Sequence, residues 1–312
     1  MLLHMAVGAL VALSAPQETD TTFTVTPGQR LNVATFGGEI VIRTWELDQV
    51  RIEADHSSRE QIVIDQNAAE VRVRPASWTS DFEFSVEGDS FDVSMNFRGG
   101  RAPAMVDYEI VVPEGMALEI GGLFTDVEIE GAVGEVTIRV LEGDVDVVGA
   151  RGLISARTGE GDIDIEDVVG ALRLSTIGGE ITVENASGDI TAQSTEGDID
   201  LEVVRASRVE AESVDGEIWY QGTIEPQGFY SFTTHDGDVT LEIAQDASAR
   251  VSVATWDGDL STDFPVEVPE RIRGRRFSFT LGSGSAQIEI EAFDGDIDVM
   301  FFEPDEQEEE EY

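Results

Sequence analysis

The sequence of 312 residues contains neither cysteine nor lysine. Without cysteine the chain has no disulfide, no cysteine-ligated zinc, no thiol nucleophile and no lipid anchor on a cysteine. All 19 basic residues are arginines, and the 64 acidic residues give a formal net charge of −45. Because clustered basic residues attract phosphate backbones and anionic lipids, this composition argues against nucleic acid and direct membrane binding. It favours cations, cationic partners or a saline habitat.

Long apolar runs are equally scarce. Residues 1–15 (MLLHMAVGALVALSA) form an apolar run that is too short to span a bilayer comfortably and ends in small residues before a polar stretch. We predict a signal peptide here, with a miscalled start codon or a buried strand as the alternatives. No later segment approaches membrane-spanning length. The chain is therefore expected to be exported, to the periplasm or the cell surface.

A repeat of nine residues dominates the middle of the chain. Glycines recur at this spacing, and the second and fourth residues after each are usually apolar, as in Ile163 and Ile165 after Gly161. Alternation at period two, rich in Ile and Val, is typical of strands. The evenly spaced glycines are Gly134, Gly143, Gly152, Gly161, Gly170, Gly179, Gly188 and Gly197.

Two kinds of unit alternate, so a complete coil consists of two nine-residue units. One kind begins Gly-Asp/Glu-Ile, and the other ends in a small or hydroxyl residue three places before the next glycine. This small or hydroxyl residue allows the register to be followed to coils that begin at Gly216, Gly237, Gly258 and Gly295. The last spacing between coil starts, from Gly258 to Gly295, is nearly twice as long as the others. It holds either two coils or one coil and a loop, and the composition of residues 265–276 (PVEVPERIRGRR) favours the loop.

Each unit has too few inward side chains for a core of its own, so successive coils must stack. The predicted fold is an all-β, single-stranded, right-handed β-solenoid of about 18–21 residues per coil, the handedness following from the usual chirality of crossovers. Equivalent residues then form columns about 4.8 Å apart. The hydroxyl positions predict a ladder, and aromatic residues late in the chain predict a wider core: Tyr220, Tyr230, Phe232 and Phe301.

The organisation predicted from these patterns has four parts. After the signal peptide, residues 20–112 are less regular strands that form the N-terminal part and cap of the solenoid, in which Gly38, Glu39 and Ile40 already carry the coil signature. Residues 113–302 form the repeat solenoid. Residues 303–312 (EPDEQEEEEY) are a charged tail expected to be disordered.

Three short motifs together resemble a known family. They are Phe23-x-Val25-x-Pro27-Gly28, then residues 37–40 (GGEI), then Tyr108-x-Ile110-x-Val112-Pro113-x-Gly115, followed by the Gly-Asp-Ile series. The pattern, over residues 22–302, is similar to the bacterial toastrack family of adhesin-like β-strand-repeat domains of unknown function. The resemblance implies an exported or envelope-associated protein linked with membrane-stress regulation, and it supplies no catalytic residues. Unlike the tethered members, this chain has no second hydrophobic segment.

The sharpest candidate site is an acidic column. Asp144, Asp162, Glu180 and Asp198 occupy the same place in successive coils, where a calcium ion could relieve their repulsion. Calcium-binding β-rolls also use nine-residue units, but through a Gly-Gly-x-Gly-x-Asp loop that this chain lacks. We favour the interpretation that these residues cap turns, and predict no cofactor unless it is calcium.

Two further candidates concern interaction. Arg271, Arg273, Arg275 and Arg276 either grip an anionic polymer or a partner's acidic segment, or neutralise the protein's own acidic wall, which we favour. Trp219 and Trp256 lie next to corners and either stack on sugars or cover core edges.

Catalysis by this chain is a weaker hypothesis than a role in binding. Solenoids can present paired carboxylates to polysaccharides, but no pair stands out among 64 acidic residues, and no Ser-His-Asp spacing is visible. The sequence therefore predicts a non-enzymatic envelope scaffold for adhesion, interaction or envelope stress, with an envelope protein or glycan as partner. The alternatives are a calcium-binding surface protein and a polysaccharide-active enzyme.

Overall fold

The computed structural model of the chain describes residues 17–77, 83–87, 90–94, 104–267 and 275–302. These residues form 24 strands and no helix, so none of them offers an apolar helix that could cross a membrane. Twenty-two strands join one hydrogen-bonded sheet, and the other two form a separate hairpin. The all-β repeat fold predicted from the sequence is confirmed, whereas the predicted signal peptide and acidic tail lie outside the described residues.

The central coils have two faces of parallel strands joined by corners. The first face contains β10 (Val136–Glu142), β12 (Ile154–Glu160), β14 (Leu172–Ser175) and β16 (Ile190–Gln193). The second face contains β11 (Val145–Val148), β13 (Ile163–Val169) and β15 (Ile181–Ser187). The long strands β9 (Ala117–Glu130) and β17 (Ile199–Glu212) pair with strands of both faces.

The pairing register follows the sequence repeat. Val136 pairs with Ile154, which pairs with Leu172, so each coil advances the chain by two nine-residue units. The alternating Ile, Val and Leu side chains point inward and are buried, because both faces of each coil share one core. The right-handed sense of winding stays a prediction.

The corner glycines leave no room for a side chain. A Cβ on Gly161 would lie 2.1 Å from the carbonyl oxygen of Gly143 in the preceding coil, and the residue has a φ of +140°. The corner that leads into the second face is also closed by the predicted hydroxyl ladder, which is confirmed: Thr158 donates to the Gly143 carbonyl at 3.2 Å and Thr176 to the Gly161 carbonyl at 3.1 Å. The ladder continues through Ser194, Ser213, Thr234 and Thr255.

The C-terminal coils do not stack in chain order. This region contains β18 (Ile218–Asp236), β19 (Val239–Ala244), β20 (Ala249–Thr255), β21 (Leu260–Thr262), β22 (Arg275–Thr280), β23 (Ala286–Asp294) and β24 (Ile297–Phe302). β23 lies between β18 and β20, and β24 lies between β19 and β21. The last coil of the described chain is therefore inserted between the two coils that precede it.

This insertion corrects our expectation that successive coils are neighbours throughout. Thr255 donates its hydroxyl hydrogen to the Gly295 carbonyl at 3.0 Å, so this hydrogen bond of the ladder joins two residues that are 40 positions apart in the sequence. Between β21 and β23, the described residues form only β22, antiparallel to β20, and no second parallel coil. A physical reason lies in the edges: the insertion leaves a short strand, β21, and an antiparallel strand starting with two arginines, β22, at the end of the sheet.

The N-terminal third ends the solenoid in a similar way. Its strands are β1 (Gln17–Thr24), β2 (Arg30–Trp45), β3 (Gln49–His56), β4 (Ile62–Gln66), β5 (Glu70–Pro75), the hairpin β6 (Glu83–Glu87) and β7 (Ser90–Ser94), and β8 (Asp107–Pro113). β2 lies between β9 on one side and β5 and β8 on the other. Antiparallel β1, β3 and β4 then close this end.

The core widens where the sequence predicts. The register advance is already one residue longer than two nine-residue units where Ile199 pairs with Ile218, and it lengthens again where Ile218 of β18 pairs with Val239 of β19. Tyr220, Tyr230 and Phe232 are fully buried there, and the Tyr220 ring lies 5.2 Å from that of Phe232 and 6.1 Å from that of Tyr230. The larger aromatic volume needs the longer coil because protein interiors are close-packed.

Candidate functional site

One acidic side chain from every coil lies at the corner that leads into the second face. We call this series the acidic corner column. All four residues proposed from the sequence as metal ligands belong to it, in consecutive coils. In spatial order the column comprises Asp107, Glu39, Asp126, Asp144, Asp162, Glu180, Asp198, Glu217, Asp238, Asp296 and Asp259.

The aspartates of this column cap backbone groups of the next coil. The amide of Asp162 donates to Oδ1 of Asp144 at 2.9 Å, and the amide of Glu180 donates to Oδ1 of Asp162 at 2.8 Å. Among the described residues, every aspartate with a following coil makes this bond, and none of the column's three glutamates does. The shorter side chain holds its oxygen close to the corner, which explains why Asp dominates here. These contacts support the turn-capping interpretation, although the cap joins two coils and not one turn.

A wider acidic surface adjoins this column. We use "acidic face" for the outward side chains of the second face from β9 to β17, which include Glu128, Asp146, Asp164, Asp200 and Glu202. Arg43 at its N-terminal end binds Glu130 at 2.7 Å and Glu128 at 3.2 Å.

Crowding on the acidic face raises the pKa values of several carboxyl groups. Partial burial raises the pKa of Asp146, and repulsion from Asp164 and Asp144 raises it further. Burial likewise raises the pKa of Asp164, partly offset by a hydrogen bond from Thr182.

Glu180 and Asp200 form a carboxyl pair in this surface. Burial raises the pKa of Glu180, and a hydrogen bond to Asp200 raises it further. Burial also raises the pKa of Asp200, against the lowering effect of that same bond. The pKa values of both members are therefore raised, and this pair holds a proton more readily than isolated carboxylates would.

Metal binding is not built into the surface as it stands. Within the described ranges, no three His, Asp or Glu groups converge in a way that could hold a metal ion. Calcium binding by Asp144, Asp162, Glu180 and Asp198 therefore stays a prediction.

The arginine cluster is only partly described. Arg271 and Arg273 lie outside the described residues, and Arg275 begins β22. Arg276 pairs with Glu291 of β23 and lies 3.4 Å from the Ser252 hydroxyl. Its contact with Glu291 agrees with neutralisation of the protein's own acidic wall, and a role in binding an anionic partner stays a prediction.

The two tryptophans proposed as platforms lie in different surroundings. Trp219 points outward from β18, half-buried, between Asp200 and Thr240 of the neighbouring strands. Trp256 lies at the corner after β20 and is 62% exposed. The structure therefore does not bring the two together.

Trp256 is part of a stack that sequence reasoning missed. Its ring lies 5.7 Å from that of Phe293 with an interplanar angle of 8°, and Phe293 lies 4.7 Å from His235 on its other side. We call these three residues the aromatic column. Each follows the hydroxyl-ladder position of its coil, a signal visible in the sequence. Their adjacency was not visible, because it depends on the inserted coil.

Two clefts among the described residues are small. A cleft of about 180 Å³ lies beside Pro27, Gln29 and Met116, and one of about 100 Å³ lies beside Glu39, Glu53 and Asp107. Both are below the roughly 300–1,000 Å³ typical of small-molecule sites.

Comparison with known protein families agrees with the fold. The sequence profile of the Toastrack DUF4097 family matches residues 29–300. No curated protein matches this chain. The solved structure of a candidate cell adhesion protein from Clostridium sporogenes covers 92% of this chain and 100% of its own, with 11% identity and a TM-score of 0.21. That of a candidate adhesin from Bacteroides fragilis covers 93% and 99%, with 14% identity and a TM-score of 0.41. Neither structural likeness carries an argument about binding.

Proposed function

Because the chain belongs to the Toastrack DUF4097 family of unknown function, we propose a role from its surface: an exported, non-catalytic interaction scaffold of the bacterial envelope. Its partner is an envelope protein or glycan that contacts the acidic face. The observation that carries this proposal is the continuity of the acidic corner column, which has a carboxylate in every coil along the solenoid.

Continuity matters because it makes the surface long and stiff. Eleven coil positions at about 4.8 Å extend over roughly 50 Å. Hydrogen bonds between coils hold the aspartates at fixed spacing, so the surface presents a regular row of negative charge without a large ordering cost on binding. A row of this kind suits recognition of an extended or repetitive partner.

A non-catalytic role is supported by the same regularity. Catalysis by paired carboxylates needs two groups whose environments differ, so that one acts as acid and the other as base. The corner column repeats one environment along the solenoid, and both described clefts are small.

Photocrosslinking tests the scaffold proposal with a matched pair of sites. Thr182 points outward on the acidic face, and Thr191 points outward on the first face of the same coil. A photoreactive amino acid at either site, in the full chain expressed in a bacterial host, should yield crosslinks to envelope components from position 182 and fewer from position 191. Equal crosslinking from both sites, no crosslinking, or retention of the chain in the cytoplasm would contradict the proposal.

Calcium binding is the second candidate function. Glu180 lies beside Asp198 and Asp200, and their repulsion adds to the effect of burial in raising its pKa. A divalent cation would relieve that repulsion. Thermal unfolding with calcium, magnesium or EDTA at matched ionic strength distinguishes the candidates. A large rise with calcium alone would support this function, and equal unfolding temperatures would eliminate it.

A further inference from the structure

The aromatic column exposes more apolar surface than the corner requires. Trp256 is 62% exposed although Phe293 covers one of its ring faces, so the opposite face is open to solvent. Phe293 is itself 47% exposed. Exposed aromatic rings that stack on one another across three neighbouring coils are a candidate interaction site.

The corner itself does not demand aromatic residues. In the four coils that begin at Gly161, Gly179, Gly197 and Gly216, the same position is occupied by Gly159, Ile177, Thr195 and Val214. Since a residue without a side chain serves equally well there, turn geometry does not explain the rings. Core packing does not explain the three aromatic residues either, because they lie on the solvent side of the buried hydroxyl ladder.

Carboxylates flank the aromatic column on one side. Asp236, Asp294 and Asp257 directly follow the three aromatic residues, and Asp238, Asp296 and Asp259 follow two residues later, after the corner glycines. Of the ion pairs formed by described residues, none involves Asp236, Asp294 or Asp296. The rings thus border a charged row in which these three carboxylates form no ion pair with another described residue.

This combination selects a planar cation. An anionic ligand would be repelled. A neutral sugar would stack on the ring face and donate hydroxyl hydrogen bonds to the carboxylates, but it would leave their negative charge uncompensated. A guanidinium group uses both, because it stacks on an indole face and donates paired hydrogen bonds to a carboxylate.

We propose that the aromatic column binds an arginine-bearing extended segment of a protein partner, with one guanidinium on the open face of Trp256 and its hydrogen bonds directed to the neighbouring aspartates. The inference rests on the proposed scaffold function and adds the site and the chemistry of its partner. It also places recognition at the C-terminal end of the solenoid, where the inserted coil assembles the stack.

Calorimetric titration of the full chain with short peptides tests the site. The probe is a peptide of alternating arginine and serine, and the matched control has citrulline, which keeps the planar shape without the charge. We expect the arginine peptide to bind and the citrulline peptide not to. In Trp256→Ala, we expect affinity to fall roughly 3- to 30-fold, the equivalent of a cation–π contact.

A second pair of variants separates a local site from diffuse attraction. Asp236→Asn with Asp294→Asn removes two charges beside the rings, and Glu160→Gln with Glu196→Gln removes two charges from the same corner position in coils without aromatic residues. The first pair should weaken binding more than the second. Equal weakening, or full affinity in Trp256→Ala, would overturn the inference.

The readouts distinguish this inference from the scaffold proposal. Tight binding of the citrulline peptide, or of a neutral N-acetylglucosamine oligomer in its place, would overturn cation recognition. If crosslinking from Thr182 persisted in that case, the scaffold function would stand without this site.

Discussion

The central and C-terminal coils obey the same residue pattern but different stacking orders. From β9 to β17 each coil lies beside the coils that precede and follow it in the chain, and the register advances by two nine-residue units or one residue more. From β18 onward this order breaks, because β24 pairs with β19 across the coil that comes between them in sequence. A repeat therefore specifies which side chains point inward and where corners fall, but it does not specify which coils become neighbours.

The largest expected effect comes from removing the inserted coil. A chain ending at residue 285 loses β23 and β24, whose inward residues Ile288, Ile290, Ile297 and Val299 are fully buried. At about 1.5–3 kcal/mol each, their loss costs roughly 6–12 kcal/mol, comparable with the whole stability of a domain. We expect hydrogen exchange to show loss of protection in β20 and β21, while a chain ending at residue 302 keeps it.

One outcome would break the comparison itself. If the shortened chain protected β20 and β21 as well as the full chain does, these strands would have closed onto β18 and β19 in simple chain order. The insertion would then be a tolerated addition and not a requirement of this end of the solenoid.

A corner glycine should matter equally in both regions. In Gly161→Ala the new Cβ would meet backbone 2.1 Å away, and in Gly295→Ala it would meet backbone 1.9 Å away. Neither contact can be relieved by a side-chain rotation, so we expect each change to cost about 3 kcal/mol of unfolding free energy. Gly121→Ala, whose nearest atom lies 4.0 Å away, is the matched control and should change stability little. A small effect at Gly295 alone would show that the inserted coil is packed more loosely.

Val203 marks the point where the regular coils end. It has a φ of 52° in a bulge of β17, at the position filled by Gly149, Asp167 and Asn185 in earlier coils. A β-branched residue in the left-handed region is strained by about 1–2 kcal/mol. We expect Val203→Asn to raise the unfolding free energy by about 1 kcal/mol. Asn185→Val should lower it by a similar amount, and no change in either variant would contradict the strain.

The acidic corner column allows charge and capping to be separated. Asp162→Asn keeps an oxygen for the Glu180 amide and removes a negative charge, whereas Asp162→Ala removes both. We expect the alanine variant to lose about 1 kcal/mol of unfolding free energy in denaturant titration and the asparagine variant to gain slightly at low salt. Equal destabilisation of both would mean that the charge itself holds the corner, as a bound cation would require.

The smallest expected effect is the dependence of stability on pH. The pKa values of Asp146, Asp164, Glu180, Asp200 and Asp298 are raised, mainly by burial. These groups hold protons more tightly in the folded chain than in the unfolded chain, so they favour folding more as the pH falls through their folded pKa values. We expect the unfolding temperature to rise slightly between neutral pH and about pH 5. A steady fall over this interval would contradict the assignment.

Much of the acidic column could be read from the sequence, and the aromatic column could not. Asp144, Asp162, Glu180 and Asp198 recur at the period of the coil, so their alignment follows from counting residues. His235, Phe293 and Trp256 share a position in the repeat, but their stacking order depends on which coils are neighbours. The arginine cluster was visible only as a run of residues, since its contacts depend on where β22 pairs.

The sequence by itself determined the local rules of this protein. Ile and Val at alternate positions, glycine at corners and a hydroxyl residue three places before the glycine of one corner in each coil follow from strand geometry, close backbone approach and unsatisfied corner carbonyls. Only the tertiary structure decided the order of the coils at the two ends. Near-identical coils offer near-identical stacking surfaces, so their order depends on how the sheet edges can be closed, which is a property of the whole chain.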